Sequence, residues 1–163
     1  MVAVDGPSGA GKTTEAARLV AALRAEGSTV AGVPTDHFAT WTDPVSWWPR
    51  LVDGVLAPLR DGSPGRYRRM DWSAGEPTLG DWVDVPLVDV LVVEGMSAGR
   101  ASVRPWLTCL VWLRTPDAAL RHARAVAREG GHAEQLTAWQ SFERGWFAVD
   151  RTSAAADVDV VGW

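Results

Sequence analysis

A chain of 163 residues with 47% hydrophobic and 22% charged residues has enough apolar material for one buried core and is not built like a disordered polymer. Its formal net charge of −4 argues against a nucleic-acid backbone as partner, since such binders carry a basic excess or stripe. No apolar stretch approaches the ~20 residues that span a bilayer, and MVAVDGPSG lacks the basic and apolar parts of a secretory signal, so the expectation is a single cytoplasmic domain over residues 1–163 with no membrane partner.

In chain order, VAVD (2–5) is a short apolar run stopped by Gly6 and reads as a buried strand. GPSGAGKT (6–13) follows, with Gly6, Gly11, Lys12 and Thr13 in the fixed places of the phosphate-loop pattern G-x-x-x-x-G-K-[ST]. Lys12 is the one lysine of the chain. In TTEAARLVAALRAEG the apolar residues Ala16, Leu19, Val20 and Leu23 share a helical face that ends at Gly27. The loop therefore joins a strand to a helix, which is the context the pattern requires.

STVAGVPTD (28–36) predicts a second strand ending near Asp36. DPVSWWPRLVDGVLAPLRDG (43–62) predicts a helix with Asp43 as N-cap and Pro44 in its first turn, limited or bent at Pro49 and Pro58. The turn DGSPG (61–65) leads into GRYRRMDW. VDVLVVEG (88–95) and LTCLVWLR (107–114) are two more buried strands, the second holding the lone Cys109, with GRASVRPW between them as a short helix or loop. PDAALRHARAVAREG (116–130) is an arginine-rich helix, 132–150 another helix, and ADVDVVG (156–162) a last strand. Strands alternating with helices predict an α/β chain with a three-layer α/β/α arrangement around a parallel sheet of about five strands.

The loop amides and the positive end of the following helix make a cradle for phosphate. Gly6, Ser8, Gly9, Ala10, Gly11, Lys12, Thr13 and Thr14 are thus the candidate nucleotide-binding residues. Lys12 would reach the β- and γ-phosphates of a nucleoside triphosphate, and the Thr13 hydroxyl would ligate Mg²⁺.

Ligands of open parallel sheets collect at the C-terminal ends of the strands, which selects Asp36 and Glu94. Asp36 could take the proton of an acceptor hydroxyl, and Glu94 could hold the metal or its water shell; a helix cap or a solvated turn is the competing reading of each. Arg121, Arg124 and Arg128, spaced by three and four, share one helical face, either a lid over the triphosphate or a solvated face of an arginine-rich chain. Arg66, Arg68 and Arg69 could line a pocket for a phosphate already on the acceptor, or alternate along an edge strand with their charges in water. Trp41, Trp47, Trp48, Trp72 and Trp82 all fall between Asp36 and the third strand, where they either stack on a flat acceptor or pack a core.

Taken in order, GPSGAGKTT, PTDHF, RYRRMDW, LVVEG, the arginine helix and ADVDVV resemble the uridine kinase-like branch of the small-molecule P-loop kinases over nearly the whole chain. The resemblance implies ATP as donor, Mg²⁺ as cofactor, Asp36 as general base, Glu94 as a magnesium-associated acid, and Arg121 and Arg124 as lid arginines on the triphosphate, with Arg128 beside them. It further implies Asp43 as the acid on the acceptor's sugar hydroxyls and Asp71 beneath its base. Tyr67, Arg69 and Trp72 join them as candidate acceptor-binding residues within a covering region of about 37–86, and the lid is placed at about 116–130. Met70 stands where the family has a tyrosine, and WSAGEP lacks the family's histidine.

The loop alone also resembles that of the cytidylate kinases. The expected activity is ATP- and Mg²⁺-dependent transfer of the γ-phosphate to a hydroxyl of a small nucleoside-like acceptor. The alternatives are a nucleoside monophosphate as acceptor, or a nucleotide switch or NTPase with no small acceptor; self-association is left open.

Overall fold

The computed structural model describes residues 1–73, 76–129 and 132–162. Strands β1 (Val2–Asp5), β2 (Val30–Pro34), β5 (Val90–Glu94), β6 (Cys109–Arg114) and β7 (Val158–Val161) form one parallel sheet in the order β2-β5-β1-β6-β7. Alternate residues of its inner strands enter two separate cores. Ala3, Leu91, Val93 and Leu110 pack on one face, and Val4, Val92, Val111 and Leu113 on the other. A sheet buried on both faces needs continuous apolar strands, which is what VLVVE and CLVWL supply.

The second face is covered by helix α1 (Lys12–Ala25), through Ala16, Leu19, Val20 and Leu23. The first face is covered by aromatic residues around Phe38, Trp47 and Trp48 and by one helical stretch made of α2 (Trp48–Leu51), a wider π turn (Val52–Leu56) and α3 (Ala57–Arg60). This stretch begins later than the sequence suggests. The Asp43 carboxylate accepts from the Ser46 amide at 2.7 Å and closes a turn, so the helix starts at Trp48 with Pro49 in its first turn. Pro58 has no N–H to offer the Gly54 carbonyl, and the backbone widens over the preceding five residues.

The sequence reading has no counterpart for β4 (Thr78–Val85), which pairs antiparallel with β3 (Gly65–Asp71) in a separate two-stranded sheet. Gly80, Asp81 and Asp84 interrupt its apolar pattern, and most of the strand is exposed. The remaining helices are α4 (Ala118–Glu129) and α5 (Ala133–Asp150). Among the described residues no helix is long and apolar enough to cross a membrane.

Candidate active site

β1 lies at the centre of the sheet, so the loop that leaves its C-terminal end is flanked by the ends of β5 and β6. A cavity of about 690 Å³ opens over this loop. Its walls include Ser8, Gly9, Ala10, Gly11, Lys12, Thr13 and Thr14 of the loop and α1, Asp36 after β2, Glu94 at the end of β5, and Arg124 of α4. The loop residues from Ser8 to Thr14, Arg124 and the candidate base therefore share one space.

The loop is braced by close backbone contacts. Gly9 has φ +77°, and a β-carbon there would lie 2.3 Å from the Arg121 carbonyl oxygen, so α4 rests its backbone directly on the loop. On the other side, a β-carbon at Gly162 would lie 2.3 Å from the Ala10 carbonyl oxygen. Lys12 Nζ curls back to donate to the Pro7 carbonyl at 3.1 Å. The Thr13 hydroxyl donates to Glu94 Oε1 at 3.1 Å, which brings the two candidate magnesium ligands together.

Among the described residues no cluster of three or more His, Cys, Asp or Glu could hold a metal. A hydroxyl and one carboxylate still fit Mg²⁺, which keeps several waters and takes further oxygens from substrate phosphates instead of filling an all-protein cage.

Beneath the loop, Asp5 is fully buried. It accepts from the Gly6 amide at 2.7 Å and the Gly99 amide at 2.9 Å. Burial pushes its carboxyl up to about 7, against the lowering effect of those two N–H donors and of Lys12.

Asp36 is exposed in a short 3₁₀ turn, Thr35–His37, and its backbone carbonyl accepts from Trp72 Nε1 at 3.3 Å. Around it the cavity is walled by Ala39, Trp41, Trp72, Met96, Leu136 and Trp139. The Trp41 ring meets Trp72 edge-on at 5.1 Å between centroids and Trp139 edge-on at 6.0 Å. Trp41 Nε1 is buried and has no hydrogen-bond partner among the described residues. Sequence reasoning selects Trp41 and Trp72 for this region but not Trp139. Of the remaining tryptophans it singles out, Trp47 and Trp48 are core residues and Trp82 is exposed under the Arg66 guanidinium.

The other residues expected at the acceptor lie away from this wall. Tyr67 is 4% exposed, stacks on Phe38 and shares a 2.8 Å hydrogen bond with His37 Nδ1; burial pushes its hydroxyl up to about 12. Arg69 pairs with Asp81 at 3.4 Å on the hairpin surface. Asp71 is exposed and accepts from the Ser73 amide at 2.9 Å, and the Ser73 hydrogen bonds hold its carboxyl below the usual range. Asp43 closes its own turn.

For the hairpin residues the cause is a β-bulge between Arg68 and Met70. It shifts the register so that Tyr67 and Met70 point inward while Arg66, Arg68, Arg69 and Asp71 face solvent. The three arginines are spent on the hairpin: Arg66 on Asp84, Arg68 on the Leu79 and Gly80 carbonyls, Arg69 on Asp81.

On α4, Arg124 is exposed and lines the cavity, whereas the Arg121 guanidinium donates to the Thr115 carbonyl. The Arg128 side chain lies outside the described residues. Gly6 sits below the cavity, where a β-carbon would press on the Leu113 carbonyl. Two buried carboxylates escaped the sequence reading: Asp5 under the loop, and Glu143 of α5, which accepts from Ser8. The signal was present, because Leu136, Trp139 and Glu143 follow one helical stripe and a glutamate on such a stripe needs buried donors.

No protein-family model matches the chain, and no curated protein matches it. Solved structures do. A structure described as a possible uridine kinase from Bacillus stearothermophilus superposes with a TM-score of 0.68 at 20% identity, over 97% of this chain and 86% of the other. A protein provisionally named a fructose transport system kinase from Silicibacter sp. TM1040 gives 0.61 at 23% identity, over 99% and 88%. D-glycerate 3-kinase from Cryptococcus neoformans gives 0.62 at 15% identity, over 91% and 77%. Likeness at these identities carries the architecture alone: the chain has a three-layer α/β/α fold around a parallel sheet, like that of these structures.

Proposed function

We propose that this protein is an ATP- and Mg²⁺-dependent phosphotransferase that moves the γ-phosphate to a hydroxyl of a small nucleoside-like acceptor. The observation that carries this reading is the single cavity shared by the phosphate loop, the Thr13–Glu94 pair and Asp36. In this reading the loop amides and Lys12 hold the β- and γ-phosphates, and Arg124 closes on them from α4. Mg²⁺, held by Thr13 and Glu94, would offset charge on the phosphate oxygens. Asp36 accepts the hydroxyl proton as the acceptor oxygen bonds to the γ-phosphorus, while the bond from that phosphorus to the β–γ bridging oxygen breaks and ADP leaves.

The tryptophan wall supports an acceptor with a flat or apolar body. The unpartnered Trp41 N–H supports an acceptor that offers it an oxygen or nitrogen, because a buried donor left unpaired is costly. The engagement of Arg66, Arg68 and Arg69 on the hairpin favours a free hydroxyl over an acceptor that already carries phosphate.

The test is ADP release from Mg·ATP against a panel of nucleosides, nucleoside monophosphates and other small alcohols, with Lys12→Ala as blank. A rate that rises with one acceptor class is expected. Equal rates with every acceptor, lost in the Lys12 variant, would replace this reading with an NTPase or switch. Asp36→Asn is expected to slow transfer about 10²- to 10⁴-fold while isothermal calorimetry shows unchanged nucleotide binding; unaltered turnover removes Asp36 from the role of base.

A further inference from the structure

The phosphotransfer scheme leaves Glu143, buried beside the loop, without a role. Glu143 is 2% exposed. Its carboxylate accepts from the Ser8 amide, at 3.0 Å to Oε1 and 3.1 Å to Oε2, and from the Ser8 hydroxyl at 2.5 Å. One turn earlier on the same helix, Trp139 Nε1 donates to Glu143 Oε1 at 3.1 Å. Among the described residues no lysine or arginine forms an ion pair with it. A buried carboxylate without a counter-ion depends on its hydrogen-bond donors, and in taking them it fixes where they sit.

Those donors belong to two different parts of the cavity. Ser8 is a corner of the phosphate loop, and Trp139 is a wall beside Asp36 that abuts Trp41. The helix that carries both contacts is fastened again at its end. Asp150 accepts from the Ala101 amide at 2.9 Å, the Thr152 hydroxyl at 2.6 Å and the Arg104 guanidinium. Arg104 also donates to the Gly99 carbonyl at 3.0 Å, and the Gly99 amide donates to Asp5 under the loop. Fastened at both points, α5 would pass a displacement of Trp139 on to Ser8.

We propose that Glu143 is a positioning residue that couples the acceptor wall to the phosphate loop, so that a nucleotide on the loop and an acceptor against Trp139 each raise the affinity for the other. Linkage makes such coupling reciprocal. The inference rests on the phosphate-loop reading of residues 6–14 and not on the identity of the acceptor.

The experiment uses the full chain labelled with 5-fluorotryptophan, with Trp139→Phe to assign the Trp139 ¹⁹F resonance and Mg·AMP-PNP as the probe. In the wild type, saturating Mg·AMP-PNP shifts the Trp139 resonance. In Glu143→Gln the shift is lost at saturation, and the Kd from calorimetry rises about tenfold, as expected when hydrogen bonds to a charged group are removed. Combining Glu143→Gln with Ser8→Ala weakens binding no further than Glu143→Gln alone.

If Glu143→Gln fails to fold by thermal melting, Trp139→Phe tests the same link from its other end. It keeps an aromatic ring on the wall while removing the donated N–H, and is expected to weaken Mg·AMP-PNP severalfold. A Trp139 resonance that moves in Glu143→Gln as in the wild type, or wild-type Kd values in both single variants, overturns the proposal alone. A wild type that binds no Mg·AMP-PNP overturns the proposed function and this coupling together.

Discussion

A methyl group added to Gly9 would meet the Arg121 carbonyl oxygen at 2.3 Å, on a backbone whose φ of +77° already disfavours any side chain. Gly9→Ala is therefore expected to cost about 1–3 kcal/mol and to lift α4 off the loop, read as a lower melting temperature and weaker nucleotide binding. Asp5 gives a second residue-scale prediction. Because its carboxyl is raised by burial from 3.8 to about 7, its share of the stability is fully present below about 4 and is lost as pH rises through about 7. The ¹³Cγ resonance of Asp5 should titrate with a midpoint near 7; a midpoint near 3.8 would mean that the carboxyl is hydrated. The placement of single residues around the cavity was legible where chemistry fixes them to a motif or a strand end, as with Lys12, Thr13, Asp36 and Glu94. Tyr67, Arg69 and Asp71 were not, because their directions hang on a bulge that no local pattern announces.

Among elements, the strands of the parallel sheet were legible as apolar runs and α1 as an apolar stripe, since burial on both faces of a sheet leaves little choice of residue. β4 was not, because a surface strand carrying Gly80, Asp81 and Asp84 has no such constraint. The helix from Trp48 to Arg60 was displaced by the turn that the Asp43 carboxylate closes on Ser46 and widened before Pro58, both of which follow from short-range donors and acceptors once the register is known. Its hold on the fold is testable. Leu51 is fully buried in the cluster that joins Phe38, Val55 and Tyr67, so Leu51→Ala is expected to destabilise the protein by about 2–5 kcal/mol in chemical denaturation. A loss below 1 kcal/mol would mean that the hairpin and this helix are only loosely attached to the sheet.

At the scale of the whole molecule, the site is a product of topology. Asp36 follows β2, Glu94 ends β5, the loop ends β1, and the order β2-β5-β1 brings these three ends side by side. That convergence was readable from the rule that ligands sit at strand C-termini. The meeting of Trp41, Trp72 and Trp139 was not, since it joins residues nearly one hundred positions apart through the packing of α5. The loop's bracing, by the α4 backbone at Gly9 and by Gly162 under Ala10, has a kinetic consequence. A cradle that holds its shape before the ligand arrives has no rearrangement to wait for. Capture of Mg·ATP should follow a single exponential whose rate climbs linearly with nucleotide concentration in stopped-flow mixing, and any slower, saturating phase should appear only when acceptor is present.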